Sequence, residues 1–222
     1  PLTGRDEPVV RFLEAFPEVE RMYADIRKTS AVVLDIETTG LEFDARVVTL
    51  NVGTENAQYC VPADAHQDCA INFGAAIREI ERLTKNKDII GHNFKFDSVR
   101  LRRQYGVRIY ATFDTMLAAY MLDEVGIMGL KELAQMRYQA QNWDIPLEDK
   151  HSGSLQVLAK YGAGDTYWPR RLWRDMDSEL ADDPQTRRLF YRLIMPAHAL
   201  LCDIEYTGVY VDRAKLDDGQ QY

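Results

Sequence analysis

The chain has 222 residues, with 46% apolar and 28% charged side chains, and 27 Lys and Arg against 35 Asp and Glu give a net charge of −8. Those proportions exclude intrinsic disorder and fit one large domain, or one domain with an appendage. No apolar run reaches the ~18 residues of a membrane helix, PLTGRDEPVV lacks the regions of a secretory signal, and the acidic balance counts against a dedicated nucleic-acid binder with a basic face.

In chain order, residues 9–26 (VVRFLEAFPEVERMYADI) show helical spacing interrupted at Pro17 and predict a helical lead-in over residues 1–30. Residues 31–36 (AVVLDI) predict a buried strand, and two more β-rich runs follow at 47–52 and 58–61. Turns are expected at 40–44 and 53–56. The pattern then changes to a helix at 71–83, a strand at 88–91, a helix at 96–105, a strand at 112–113, and helices at 115–122 and 130–138. Three strands followed by alternating helices and strands predict an α/β domain with a mixed central sheet flanked by helices. Residues 139–154 are polar, hold Pro146 and Gly153, and read as a loop. Helices resume at 155–173 and 184–206.

Asp35 and Glu37 lie two apart at the end of the first apolar strand, so both side chains share one face at a sheet edge. That is where open α/β sheets place ligands. Two carboxylates so close repel each other, and a bound cation removes that cost; alone, the pair is equally a solvated Asp-x-Glu. Asp97 closes GHNFKFD where a strand turns into a helix, a position that also suits a carboxylate against the helix dipole. Tyr161 and Asp165, four apart on a helix, share a face, and a surface pair explains that spacing as well.

Taken together, in this order and context, these residues resemble the DEDD superfamily and the DnaQ-like 3′–5′ exonucleases within it. The three motifs stand here as LDIETTGL, GHNFKFD and YGAGD. The histidine subtype carries His five residues before the last Asp, where this chain has Lys160. Tyr161 places it in the tyrosine subtype. Residues 114–124 (DTMLAAYMLDE) and 129–135 (GLKELAQ) resemble proofreading domains of family A DNA polymerases, and residues 195–216 resemble the link from such a domain to a polymerase thumb. The similarity runs from about residue 31 to 216. It implies a ribonuclease H-like exonuclease domain over 31–185, with 186–222 leading toward a polymerase domain in cis. One departure stands out. Gly162 and Gly164 replace the family's usual alanines, and at roughly 1 kcal/mol each in a helix interior they predict a less rigidly held Tyr161.

The resemblance further implies hydrolysis of the 3′-terminal phosphodiester of single-stranded or frayed DNA, releasing nucleoside 5′-monophosphates with two Mg²⁺ or Mn²⁺ ions. Asp35 then bridges both ions, Glu37 and Asp165 complete one site, Asp97 supports the other, and Tyr161 orients water. Thr38, Leu41 and Asn93 match substrate-contacting positions, with Leu41 an apolar wedge or else core, and Asn93 a strand contact or a turn residue. Arg170, Arg171 and Arg174 flank Trp168 and Trp173; the preferred reading is a solvated basic helix face with two core indoles, the other a grip on single strands. His66, His92, His151 and His198 fall in no ligand spacing and read as structural, and Asp114 reads as a helix cap. Cys60, Cys69 and Cys202, an odd set without C-x-x-C spacing, point to free thiols in a reducing cytoplasm, bacterial or phage-infected, with an organelle left open. A monomer is expected. Alternative readings are a stand-alone exonuclease of the RNase D or Werner type and a catalytically silent polymerase scaffold.

Overall fold

The structure, a computed structural model, describes residues 10–12, 16–146, 153–213 and 215–216. Its centre is a six-stranded mixed sheet of β1 (Val10–Phe12), β2 (Ala31–Thr38), β3 (Val47–Gly53), β4 (Gln58–Pro62), β5 (Asp88–Gly91) and β6 (Phe113–Asp114), in the order β1-β4-β3-β2-β5-β6. β2 pairs antiparallel with β3 and parallel with β5. It lies in the middle because its first four residues are all buried apolar side chains, the pattern of a strand covered on both faces.

Among the described residues the α-helices are α1 (Phe16–Lys28), α2 (Phe73–Thr84), α3 (Lys95–Tyr105), α4 (Thr115–Leu122), α5 (Leu130–Tyr138), α6 (Leu155–Asp182), α7 (Pro184–Leu189) and α8 (Met195–Thr207). α6 packs across β2, β3 and β4, while α3 meets α8 and α1 meets α2. Tyr59, Phe73, Phe94, Phe113 and Phe190 anchor the core, and all are almost completely buried. The three cysteines are free. Among the described residues no helix is long and apolar enough to cross a membrane.

The lead-in differs from its expectation. Residues 10–12 form a strand parallel to β4, with Val10 opposite Gln58. Pro17 does not interrupt the helix that follows but sits in its first turn, where the missing N–H has no intrahelical partner to lose. Further along, α6 continues nine residues past the expected end at 173, with Pro169 inside it. The helix expected over 184–206 is broken by a π-helical turn at Phe190–Ile194. Pro196 lies just beyond that turn; having no N–H to continue an α register, it favours a local widening.

Candidate active site

The first motif is set by the pleat of β2. Asp35 and Glu37 are the two partly exposed side chains between buried Leu34, Ile36 and Thr38. The ladder to β3 shifts register between Glu37 and Thr38, the kind of irregularity that ends pairing and re-aims a strand beside a site. α6 delivers the third motif across the same region of the sheet, with Tyr161 and Asp165 one helical turn apart and both buried. Oxygens of Asp35, Glu37 and Asp165 all lie within 4.8 Å of one another. Such an all-oxygen set fits Mg²⁺ or Mn²⁺ and carries no thiolate or imidazole that would favour zinc.

Asp97 is placed by α3. Its Oδ1 accepts the N–H of Ile36 at 2.8 Å, which ties the second motif to the first. The turn before α3 is organised by Asp114, whose Oδ2 accepts from Phe94 N (2.8 Å) and Oδ1 from Asn93 N (3.2 Å). Asp114 also caps α4 through the N–H groups of Met116 and Leu117, as expected. Asn93 adopts a left-handed backbone at φ 56°, which asparagine tolerates better than most residues. It is therefore a turn residue and an exposed wall of the cleft at once.

One cleft of about 530 Å³ collects Asp35, Glu37, Thr38, Leu41, Asn93, Asp97, Tyr161 and Asp165, all eight residues expected from sequence. Leu41 is 80% exposed at the rim, so it is not a core residue. Its loop is held from below by Arg100, whose guanidinium donates to the carbonyls of Leu41 (2.6 Å) and Glu42 (3.0 Å) and stacks on Phe96 at 3.7 Å. Thr38 Oγ1 donates to Gly40 O at 2.6 Å and tightens the same turn.

The electrostatics are those of crowded carboxylates. Burial first, then the charges of Glu37 and Asp165, raises the Asp35 pKa well above the usual carboxylate value. Burial likewise raises Asp97, against hydrogen bonds from backbone N–H groups. Asp165 is raised by burial and pulled back by Lys131 and by the indole of Trp143. Lys131 sits 3.5 Å from Asp165 Oδ1 and 3.1 Å from the Tyr161 hydroxyl. Burial first, then the charges of Asp165, Glu37, Asp35 and Asp144, push the Tyr161 phenol well above its ordinary value, which keeps it protonated near neutral pH.

Sequence reasoning missed Asn51, Lys131 and Trp143. Asn51 faces Asp35 across the β2–β3 ladder, and its Nδ2 donates to Asp35 Oδ2 at 3.0 Å. Trp143 Nε1 donates to Asp165 Oδ1 at 3.0 Å. A lone indole in a polar loop and a lysine opening a helix near the site were the available signals. The glycines of YGAGD have a packing role that sequence reasoning also missed. A Cβ at Gly162 would fall under 3.0 Å from the Asn51 amide, and one at Gly164 under 3.0 Å from the Trp143 indole. They admit the Asn51 and Trp143 side chains, and the Tyr161 hydroxyl accepts from Lys131 at 3.1 Å.

The arginine cluster does not present a solvated face throughout. Arg170 is buried, donating to Ala31 O at 2.6 Å and Gly53 O at 3.2 Å, and burial lowers its pKa to about 10. Arg171 stacks on Tyr138 and Arg174 pairs with Glu55. Trp168 is core as expected and Trp173 packs against the core. His66 and His198 are buried structural groups. His92 bonds Thr115 Oγ1 at 2.9 Å but also lines the cleft. His151 lies outside the described residues.

Residues 11–181 match the sequence profile of a family described as 3′–5′ exonuclease. DNA polymerase I of Borreliella burgdorferi is 26% identical over 209 residues, which are 90% of this chain and 23% of that protein. The chain thus spans about a quarter of the length of the polymerases it matches. Among solved structures, Brucella melitensis NrnC bound to pGG aligns with a TM-score of 0.69 at 20% identity, over 92% of this chain and 98% of that one. Escherichia coli RNase D, an exoribonuclease, aligns with a TM-score of 0.68 at 12% identity, over 90% of this chain and 51% of that one. At such identities the two structures show the fold, which is ribonuclease H-like. With the profile covering most of its length, the chain belongs to the 3′–5′ exonuclease family, as the domain type carried by family A DNA polymerases.

Proposed function

We propose that the cleft removes the 3′-terminal nucleotide of single-stranded or frayed DNA as a 5′-monophosphate, and that the chain is the proofreading unit of a family A DNA polymerase. The observation that carries this is the convergence of Asp35, Glu37 and Asp165 within 4.8 Å, with Asp97 and Tyr161 lining the same cleft. Asp35, Glu37 and Asp165 would hold one Mg²⁺ or Mn²⁺, and Asp97 with Asp35 a second. When bound, such a pair supplies Lewis-acid stabilisation of the attacking and leaving oxygens of an in-line displacement.

The remaining roles fall to the chain itself. Tyr161, kept protonated, orients the attacking water by hydrogen bonding and does not act as a base. Its hydroxyl accepts from Lys131, which leaves the phenolic proton for a neighbouring oxygen. Leu41 on its Arg100-braced loop presses against the terminal base, while Thr38 contacts the terminal nucleotide and Asn93 the strand. Exposed Leu200, Leu201 and Ile204 on α8 support a role for this helix in leading to a following domain. Convergence of all four carboxylates and the tyrosine in one cleft supports an active enzyme over a silent scaffold.

A stand-alone exonuclease acting on RNA or short oligonucleotides is the second reading, favoured by the near-complete coverage of NrnC. Matched 5′-labelled DNA and RNA single strands with Mn²⁺ decide between the two. The proposal expects 3′ shortening of the DNA strand, lost on the order of 10³-fold in Asp35→Ala. Preferential degradation of the RNA strand would establish the second reading, and an unchanged Asp35→Ala rate would overturn both.

A further inference from the structure

Two side chains outside the three motifs each donate one hydrogen bond to a motif carboxylate. Asn51 Nδ2 reaches Asp35 Oδ2, and Trp143 Nε1 reaches Asp165 Oδ1, both at 3.0 Å. An ionised carboxylate only accepts, so the amide must present its nitrogen and the indole its single N–H. Each bond engages one carboxylate oxygen, Oδ2 of Asp35 and Oδ1 of Asp165.

Both donors occupy space on α6 that only glycine leaves open. Gly162 lies against the Asn51 amide and Gly164 against the Trp143 indole, and in each case an added Cβ would fall under 3.0 Å from the side chain. Neither glycine has a positive φ, so backbone conformation does not demand them. Helix propensity opposes them as well, by roughly 1 kcal/mol each relative to alanine. What they provide in return is close approach. Asn51 is almost fully buried and pinned across the ladder from Asp35, while Trp143 is stacked on Trp168 at 6.0 Å. Neither can move aside cheaply.

We propose that Asn51 and Trp143 are positioning residues that fix the orientation of Asp35 and Asp165 for cation uptake, and that Gly162 and Gly164 are the seats that admit them. This rests on the reading of the cleft as a divalent-cation site. Partners that orient metal ligands typically contribute 10–100-fold in metal affinity.

The test is uptake of Mn²⁺ alone, followed by the free-ion electron paramagnetic resonance signal, with thermal unfolding in parallel. Asn51→Ala and Trp143→Phe should each weaken Mn²⁺ binding about tenfold or more, with Phe keeping the stack on Trp168 and hence the fold. Gly162→Ala should weaken it similarly by displacing the amide. The most informative protein is the double variant Asn51→Ala/Gly162→Ala, in which the Cβ meets no amide. It should bind Mn²⁺ no worse than Asn51→Ala and unfold at a higher temperature than Gly162→Ala. Fully additive losses, or single variants that bind within twofold of the wild type, would overturn the inference while leaving the cation site standing. A wild-type chain that takes up no Mn²⁺ would overturn the cation reading and this inference with it.

Discussion

Without cations, the stability of this chain should fall as pH rises, opposite to the usual behaviour of salt-bridged carboxylates. Two unit charges 4.8 Å apart, the outer limit for the Asp35, Glu37 and Asp165 oxygens, repel by about 3.5 kcal/mol at an effective dielectric of 20. Three such pairs would cost roughly 10 kcal/mol, comparable to the whole stability of an ordinary domain. Lys131 offsets part of this at Asp165 alone. The cation-free fold therefore retains protons, as the raised Asp35, Asp97 and Asp165 pKa values indicate. For an acid whose folded pKa exceeds its unfolded one, the stabilisation is fully present below the unfolded value near 4 and is lost as pH climbs through the folded value. The slope is up to about 1.4 kcal/mol per pH unit for each retained proton, or roughly 2–4 °C in Tm per kcal/mol for a chain of this size. Thermal unfolding in EDTA between pH 5 and 8 should show that decline, and Mn²⁺ should abolish it. Asp35→Asn removes two of the three repelling pairs and keeps an acceptor for Asn51, so in EDTA at pH 8 it should be more stable than wild type. Stability in EDTA that rises from pH 5 to 8, or an Asp35→Asn variant weaker than wild type at pH 8, would refute the reasoning.

Arg170→Met should cost about 3 kcal/mol, the value of hydrogen bonds from a charged donor to the Ala31 and Gly53 carbonyls, as read by urea unfolding, while binding of single-stranded DNA by the folded protein stays unchanged. Weakened binding without lost stability would restore the cluster as a DNA surface. Arg100→Ala should release the Leu41 loop, raising KM about tenfold with kcat changed less than threefold, a split of about 1.4 kcal/mol in binding alone. Faster limited proteolysis at residues 40–44 should accompany it, and an unchanged KM would remove the bracing role.

The parts of the site legible in the sequence are those carried by local periodicity. Asp35 and Glu37 follow from a two-residue pleat, Tyr161 and Asp165 from a helical turn, and Asp97 from a strand–helix junction. What was not legible depends on pairing between distant segments. Asn51 becomes a partner of Asp35 only once the β2–β3 register is set. Arg170 is buried because its two acceptors lie 139 and 117 residues away in sequence. Trp143 comes from a stretch whose composition reads as loop, and nothing local marks Asp165 as its acceptor. The short strand β1 was hidden for a related reason, since three residues paired with β4 cannot outweigh the helical pattern of the segment that follows.

The acidity of the chain and its proposed polyanionic substrate are reconciled at the cleft. The carboxylates of all three motifs line it, and Lys131 is the ammonium in contact with Asp165 and Tyr161. The arginines nearest in sequence to the third motif are otherwise engaged, Arg170 in the core, Arg171 on an aromatic ring and Arg174 with Glu55. A phosphodiester approaching cation-free carboxylates would meet repulsion, and one approaching a loaded site would meet positive charge. Cation and DNA then stabilise each other's binding, and by linkage the factor must be the same in both directions. Under that coupling the positioning of Asp35 and Asp165 by Asn51 and Trp143 bears on substrate affinity as well as on cation affinity, although neither residue is among those lining the cleft. The three motifs alone do not account for that coupling, because the side chains that orient their carboxylates are supplied by β3 and by the segment between α5 and α6.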